Sequence, residues 1–338
     1  MNFPGPQKAS SRRRLLAWYD AHARDLPWRR TRDPYAIWVS EIMLQQTRVA
    51  AVLEHYRVFL NRFPTLQALA RAKEAQVLAA WSGLGYYRRA RMLHAAAQKV
   101  MREFAGEIPH SASALIELPG IGRYTSAAIA SIAFGEATAV VDGNVERVLE
   151  RLAGKKLSGE KIWKAANELL APLRPGDFNQ AMMELGATVC LPREPLCLAC
   201  PIRNLCATRG RLAASAKLPA QRKCRILSAL SHRNESVFLR QRGPDVSLMA
   251  GMWELPELTG MKAGALPLFS LHHSITVTDY TVEVWGVEGT AGTVLPESLG
   301  DGSWIPKSKL HHTALTGLAR KILVRAGILA KIGTDNLQ

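Results

Sequence analysis

Four cysteines within a stretch of seventeen residues constrain this chain more than any other feature. Cys190, Cys197, Cys200 and Cys206 follow the spacing C-x6-C-x2-C-x5-C. Thiolates that close together can converge on one site, and the segment between them then folds as a short braced loop. Soft sulfur ligands suit either zinc or an iron–sulfur cluster. Zinc sites more often pair two C-x2-C knuckles, and only one is present here. A centre with all four positions held by protein leaves none open for substrate, so its role is structural. Bunched cysteines read as metal binding in an intracellular protein before they read as disulfides. The fifth cysteine, Cys224, stands alone and is a bystander. Arg193 and Arg203 lie inside the loops such a centre would brace and are candidate phosphate contacts.

Charge names the class of partner. Lys and Arg number 44 against 28 Asp and Glu, a net charge of +16. That excess predicts attraction to a polyanion, because each neutralised phosphate releases counterions. The 338 residues, 48% apolar, can fill two domain cores. No apolar run approaches the roughly 20 residues a membrane span needs. After Arg12, Arg13 and Arg14 only Leu15 to Trp18 follow as an apolar stretch, too short for a signal peptide. The expected location is cytoplasmic, nucleoid-associated in a bacterium.

Residues 8–207 carry helical periodicity and are predicted to form one all-α domain. A long helix is expected over 36–63, with Asp33 and Pro34 as start signals. A second run over 76–104 is broken at Gly83, Gly85, Tyr86 and Tyr87. Further helices follow Gly122 and Gly143. Residues 208–228 are basic, poor in large apolar groups, and read as an exposed linker. Residues 229–336 form a second, α+β domain. Its strand candidates are 237–240 and 276–285, and a closing helix is expected over 311–327.

The string Leu118-Pro-Gly-Ile-Gly-Arg-Tyr-Thr125 lies between two helical runs. Gly120 and Gly122 clear side chains from the mouth of the following helix, where backbone N–H groups and the helix dipole attract a phosphate. A bare G-x-G marks only a turn. Flanked by amphipathic helices in a basic protein, the longer string is a clamp for the DNA backbone that reads no sequence.

Two carboxylates stand in opposite settings. Glu41 lies in the apolar run Trp38-Val-Ser-Glu-Ile-Met-Leu-Gln-Gln-Thr47. Apolar surroundings disfavour its charged form, so it can stay protonated and act as an acid. Asp142, in Val140-Val-Asp-Gly-Asn-Val145, sits where an extended stretch meets a helix start, whose N–H groups favour an anion. Breaking an N-glycosidic bond needs both: adenine leaves once a ring nitrogen is protonated, and the sugar cation left behind needs negative charge beside it. Taken alone, Glu41 could be an exposed helix glutamate and Asp142 a plain N-cap.

With these pieces together the chain resembles the adenine DNA glycosylase (MutY) family of the helix-hairpin-helix, endonuclease III-like superfamily. The motifs are Leu26-Pro-Trp-Arg-Arg30, Trp38–Thr47, Gly83-Leu-Gly-Tyr-Tyr87, the hairpin, Val141-Asp-Gly-Asn-Val145, Phe178–Gly186 and the cysteine loop. The resemblance spans nearly the whole length. It implies a multi-domain protein: an all-α helix-hairpin-helix glycosylase domain with an iron–sulfur loop at 190–206, and a C-terminal α+β MutT-like (Nudix-fold) domain. One [4Fe–4S] cluster per chain, held by Cys190, Cys197, Cys200 and Cys206, is implied by the family alone. The implied substrate is double-stranded DNA with adenine opposite 8-oxoguanine or G, and adenine is flipped into a pocket. Glu41 would protonate it. Asp142, oriented by Asn144, would stabilise the sugar cation or a covalent intermediate, with Tyr124 nearby. Leu26, Trp28, Arg29 and Gln180 match the adenine pocket. Gln46 and Tyr86 match residues that wedge the base stack, and Thr47, Leu118, Gly120 and Gly122 match DNA contacts.

Position 124 separates relatives. The endonuclease III family has a lysine there, which attacks the sugar and goes on to cut the strand; Tyr124 cannot form that Schiff base. Simple base removal is therefore expected. A relative that removes thymine from G·T mispairs also has tyrosine here, so a thymine glycosylase, or a non-catalytic damage-binding protein on the same fold, stands as the alternative. The C-terminal domain lacks the glutamate cluster a MutT-like pyrophosphohydrolase uses for Mg²⁺, so recognition is its expected role. The family's loop often reads Phe-Ser-His; here His272-His-Ser-Ile-Thr-Val277 occupies the place, with Thr276 for the usual serine and Val277 for the usual histidine. Thr276, Ser274 and His273 are the candidate 8-oxoguanine contacts. A monomer is expected; clamp or mismatch-repair partners would fit the family, but no docking motif for them stands out.

Overall fold

The computed structural model describes residues 5–209, 222–246, 248–259, 266–275, 278–287 and 299–330. Helices come first: α1 is Gly5–His22, and a 3-10 turn, Pro27–Arg29, leads to α2, Pro34–Leu44. Asp33 caps α2 by accepting from the Tyr35 N–H at 3.0 Å, with Pro34 in the first turn. Every residue from Tyr35 to Met43 is buried. A helix apolar on nearly all faces has no solvent side and becomes the centre of a core.

The expected single helix over 36–63 is two helices. Gln46 adopts φ +54°, a left-handed conformation that no helix continues through, and α3 starts afresh as Val49–Arg62. Apolar spacing carries on across the break, so periodicity alone hides it. The break expected near Gly83 is present, between α5 (Glu74–Trp81) and α6 (Arg88–Glu103), which follow α4 (Leu66–Arg71). Then come α7 (Ala112–Leu115), α8 (Arg123–Ala133), α9 (Gly143–Ala153), α10 (Glu160–Leu169) and α11 (Pro175–Thr188).

The chain divides into two compact units. The first comprises residues 1–49, 65–70 and 95–215. One core joins α1, α9, α10 and α11 through Leu15, Val145, Leu149, Ile162, Phe178 and Leu185, and Cys190, Cys200 and Cys206 pack against it. A smaller cluster joins α2 to α8 through Ile37, Ala128 and Ile132.

The second unit comprises residues 50–64, 71–94 and 216–338. Its strands are β1 (Arg222–Leu230), β2 (His232–Arg233), β3 (Ser236–Gln241), β4 (Trp253–Glu254), β5 (Phe269–Ile275), β6 (Thr278–Gly286) and β7 (Ser303–Pro306), followed by α12 (Gly317–Arg325). One sheet has the order β1-β6-β5, with β1 parallel to β6; in the other, β3 pairs with β2, β4 and β7. Leu239, Val282, Val284, Leu315, Ile322 and Leu323 fill the core under α12.

Two expectations are corrected here. The basic segment is not linker to residue 228: β1 begins at Arg222, and its backbone pairs with β6 from Arg222–Thr278 to Leu230–Gly286. The first half of β1 is largely exposed, so its charged composition looks like a linker although the ladder holds it. Residues 50–64 and 71–94 group with the C-terminal residues in the second compact unit. The closing helix is shorter than 311–327, because a 3-10 turn over Lys307–His312 precedes it. Among the described residues, no helix is long and apolar enough to cross a membrane.

Candidate active site

Burial of α2 carries Glu41 inward with it, leaving the residue only 5% exposed. One neutral donor faces it: the Tyr124 hydroxyl, at the start of α8, donates to Oε2 at 2.8 Å. Burial pushes the Glu41 carboxyl up to about 7, and the Asp142 charge adds to the rise; the Tyr124 bond and the Arg29 charge oppose it. Tyr124 lies 3.3 Å from the Met183 sulfur as well. Burial first, then the Glu41 and Asp142 charges, hold the phenol well above its ordinary range, so it stays a neutral donor.

Asp142 caps α9. Its Oδ1 accepts from the Asn144 N–H at 2.9 Å and the Val145 N–H at 2.7 Å, and its Oδ2 accepts from Asn144 Nδ2 at 2.9 Å. Three donors and a helix N-terminus surround an acceptor-only group. Asp142 and Glu41 thus meet in one electrostatic site from positions 101 residues apart.

Arg29 ends the 3-10 turn in which Leu26 and Trp28 are buried. Its Nη2 donates to Glu184 Oε2 at 2.8 Å, and Arg24 forks the same carboxylate at 2.7 and 2.8 Å. The Glu184 side chain is fully buried. Burial alone would raise its pKa, but the two guanidinium groups win and bring it to about 2. Gln180, also buried, precedes Met183 and Glu184 by three and four residues on α11, so it shares their face.

The cysteine loop is tied to this site. Arg147 Nη2 donates to Asn144 Oδ1 at 2.8 Å and to the Gly186 carbonyl at 2.7 Å, while its Nε donates to the Cys190 carbonyl at 2.9 Å. One turn on, the buried Arg151 donates to Cys190 Sγ at 3.1 Å and to the carbonyls of Leu191 and Pro192. The Arg209 N–H reaches Cys206 Sγ at 3.3 Å. All four cysteines are free of disulfides and half-buried. Burial raises the Cys200 thiol to about 11, and the Cys190, Cys206 and Cys197 sulfurs add to the rise, so the four lie close enough to feel one another. Among the described residues, no three or more His, Cys, Asp or Glu side chains gather tightly enough to hold a single metal ion.

Residues 39–172 match the HhH-GPD superfamily of base excision DNA repair proteins. The human adenine DNA glycosylase is 37% identical over 395 aligned positions, covering 91% of this chain and 72% of the relative. The chain belongs to the adenine DNA glycosylase family. The rat member of that family is 49% identical over 63% of this chain, and the mouse member 42% identical over 73%; the chain spans 45% and 60% of their lengths. Among solved structures, a thermostable thymine-DNA glycosylase superposes with a TM-score of 0.58 at 30% identity, covering 61% of this chain and 98% of that one. An endonuclease III trapped as a covalent intermediate with DNA gives 0.54 at 22% identity, covering 62% and 98%, which shows the shared helical fold.

For an adenine DNA glycosylase, several site residues could not be found by reading motifs. Glu184 and Gly186 lie inside the quoted 178–186 motif, yet only Gln180 was drawn from it. A Cβ on Gly186 would sit 2.6 Å from Asn144 Cβ, so this glycine lets α11 close on α9. Met183 and Arg147 carried no signal beyond helical spacing from Gln180 and Asn144. The expected DNA contacts have individual settings. Leu118 is buried, Gly120 has φ +75°, and Gly122 is the extended N-cap of α8 without a side-chain cap. Gln46 is exposed at its left-handed turn, and Thr47 is half-buried with its hydroxyl on the Gln45 carbonyl at 3.3 Å. Tyr86 is 48% exposed with φ +48°. In β5, Ser274 donates to Asp279, and His273 is half-buried. Thr276 and Val277 lie outside the described residues.

Proposed function

We propose that this chain is a monofunctional glycosylase that removes adenine from DNA where it mispairs with 8-oxoguanine or G, leaving an abasic site. The observation that carries the reading is the Glu41–Tyr124–Asp142 constellation: a buried carboxyl poised near neutral pH beside a carboxylate ringed by donors. Glu41, protonated at pH 7 or below, gives its proton to a ring nitrogen of the flipped base. The C1′–N9 bond then breaks, and adenine leaves with the electron pair. Asp142, fixed by Asn144, stands beside the oxocarbenium centre, and water adds at C1′ as its proton returns to a carboxylate. Tyr124 donates to Glu41 Oε2, which leaves Oε1 to carry the acid proton. No amine stands at position 124, so strand scission through a Schiff base has no nucleophile.

Arg29, locked by Glu184, together with Leu26, Trp28 and Gln180, forms the adenine pocket. Gly120 and Gly122 open the N-terminus of α8 to a phosphate; a Cβ at Gly122 would touch nothing within 4 Å, so packing does not demand that glycine. Gln46, Thr47 and Tyr86 contact the duplex, which a monomer binds at the chromosome in the cytoplasm. The sheet-containing C-terminal region acts as a MutT-like reader of the opposite base, through Ser274, His273 and Thr276.

The cysteine loop fits one [4Fe–4S] cluster. N–H groups of Arg151 and Arg209 point at Cys190 and Cys206 sulfurs, as thiolate ligands require. Cys190, Cys197, Cys200 and Cys206 would hold the cluster. Held there, it would brace the loop. Purified protein is expected to be yellow-brown; stoichiometric zinc without iron overturns the assignment. The activity is tested on duplexes holding A·8-oxoguanine, A·G, T·G or thymine glycol, with and without alkali. Breaks at A-containing duplexes only after alkali are expected. Breaks without alkali, or on T·G alone, refute the reading.

A further inference from the structure

The second unit holds a buried arginine that none of the chemistry above uses. Arg320, on α12, is 8% exposed. Among the described residues it forms no salt bridge, and its Nη1 has no hydrogen-bond partner. Burial lowers its pKa. A buried guanidinium without a carboxylate is a costly thing to keep, so what it touches matters.

Its Nε donates to the Ser82 hydroxyl at 3.0 Å, and Ser82 is completely buried. That hydroxyl donates in turn to the Leu315 carbonyl at 2.8 Å, just before α12. The Tyr87 hydroxyl donates to the same carbonyl at 3.1 Å and accepts from the Gly83 N–H at 3.4 Å. From α3, His55 Nε2 approaches the Ser82 carbonyl at 3.3 Å. A Cβ on Gly83 would meet His55 Nε2 at 2.9 Å and Arg320 Cδ at 3.6 Å. Both ends of the Ser82–Tyr87 turn are therefore clasped by the start of α12. Between them the turn runs through left-handed backbone at Gly83, Gly85 and Tyr86. The two glycines take such backbone freely, but Tyr86 does not, so surrounding contacts must hold it there. Tyr86 is the part left outside: its ring is exposed and lies under the Arg89 guanidinium at 5.3 Å.

We propose that Arg320 is a positioning residue for DNA binding: through Ser82 it holds the turn that presents the Tyr86 ring to the base stack. This rests on the reading of Tyr86 as a wedge. Arg320 itself touches no DNA.

The test is a double-mutant cycle in the full-length protein, with Tyr86→Ala, Arg320→Met and the combination. Methionine keeps a long unbranched side chain and removes the buried charge; thermal melting checks that the variant is folded. Tyr86→Ala should weaken binding to an A·8-oxoguanine duplex by about 5- to 150-fold, the range for one lost stacking contact. Arg320→Met should weaken it by about 5- to 10-fold, the low end of that range, and should add nothing in the Tyr86→Ala background. A 2-aminopurine beside the mispair should report less unstacking with Arg320→Met. Arg320→Lys, which can still donate to Ser82, should restore the signal. Unchanged binding with Tyr86→Ala sinks the wedge reading itself. Weakened binding with Tyr86→Ala, but full affinity and full 2-aminopurine response with Arg320→Met, overturns the role of Arg320 alone. Additive losses in the double variant also overturn it, since Arg320 would then act by another route.

Discussion

Replacing Glu41 by glutamine should stabilise the protein, and only above a defined pH. The folded carboxyl has its pKa raised from 4.5 to about 7, by burial first. Below pH 4.5 the group is protonated whether folded or unfolded, and its charge costs nothing. Between 4.5 and 7 the unfolded chain ionises while the folded site resists, so stability falls as pH rises. Above 7 the full cost is present: 2.5 pKa units at ~1.36 kcal/mol each, about 3 kcal/mol. Glutamine keeps the volume and still accepts from Tyr124, but carries no charge. Urea unfolding followed from pH 4 to 8.5 should show no difference at pH 4, a gain of about 1.4 kcal/mol at pH 5.5, and about 3 kcal/mol at pH 8.5. The same variant should bind a mispaired duplex and fail to excise the base. Wild-type single-turnover excision should fall about tenfold per pH unit above 7. A stability difference flat with pH would mean that Glu41 is not held in an apolar site; retained turnover would remove it as the acid.

Glu184→Gln leaves Arg24 and Arg29 without their carboxylate and should destabilise by about 3–5 kcal/mol, read by urea unfolding at pH 7. Because the Glu184 pKa is depressed to about 2, the stability it supplies is present above 4.5 and lost as pH falls towards 2, so wild type and variant should converge in acid. Arg147→Met removes bonds to Asn144, Gly186 and Cys190 at once. Excision should slow by about 10- to 100-fold, the value of one charged hydrogen bond to the Asp142 support; an unchanged rate would refute that coupling. Gly186→Ala forces a Cβ to within 2.6 Å of Asn144 and should cost about 1–3 kcal/mol of overpacking, measured by thermal unfolding.

The settings of two carboxylates were more legible than the architecture. Glu41 and Asp142 could be read from composition around them, because burial of an all-apolar helix and capping of a helix start are local consequences of sequence. The break at Gln46 was not legible: glutamine carries no turn signal, and its left-handed backbone has no local sequence cue. The first half of β1 was mistaken for linker because a largely exposed strand with Arg222, Lys223 and Arg225 looks like solvated chain until β6 pairs with it. Arg147, Met183 and Glu184 were invisible for a further reason. Their roles are defined by contacts with residues tens to more than a hundred positions away, and no local pattern encodes those.

Glu41 and Glu184 show how one core holds two buried carboxylates in opposite states. Both side chains are withdrawn from water, so desolvation pushes both pKa values up. What differs is the donor. Glu41 receives one hydrogen bond from a neutral phenol and feels the negative Asp142. Glu184 receives two guanidinium groups, whose full charges outweigh its burial. The first arrangement leaves a proton available at neutral pH. The second fixes a permanent anion that anchors Arg29. Replacing the phenol at position 124 by a cation would move Glu41 towards the Glu184 state and deprive the site of its proton. Under the proposed function, the same substitution that would supply an amine nucleophile for strand cutting would therefore also take the proton from Glu41, and a tyrosine at this position would serve base removal on both counts.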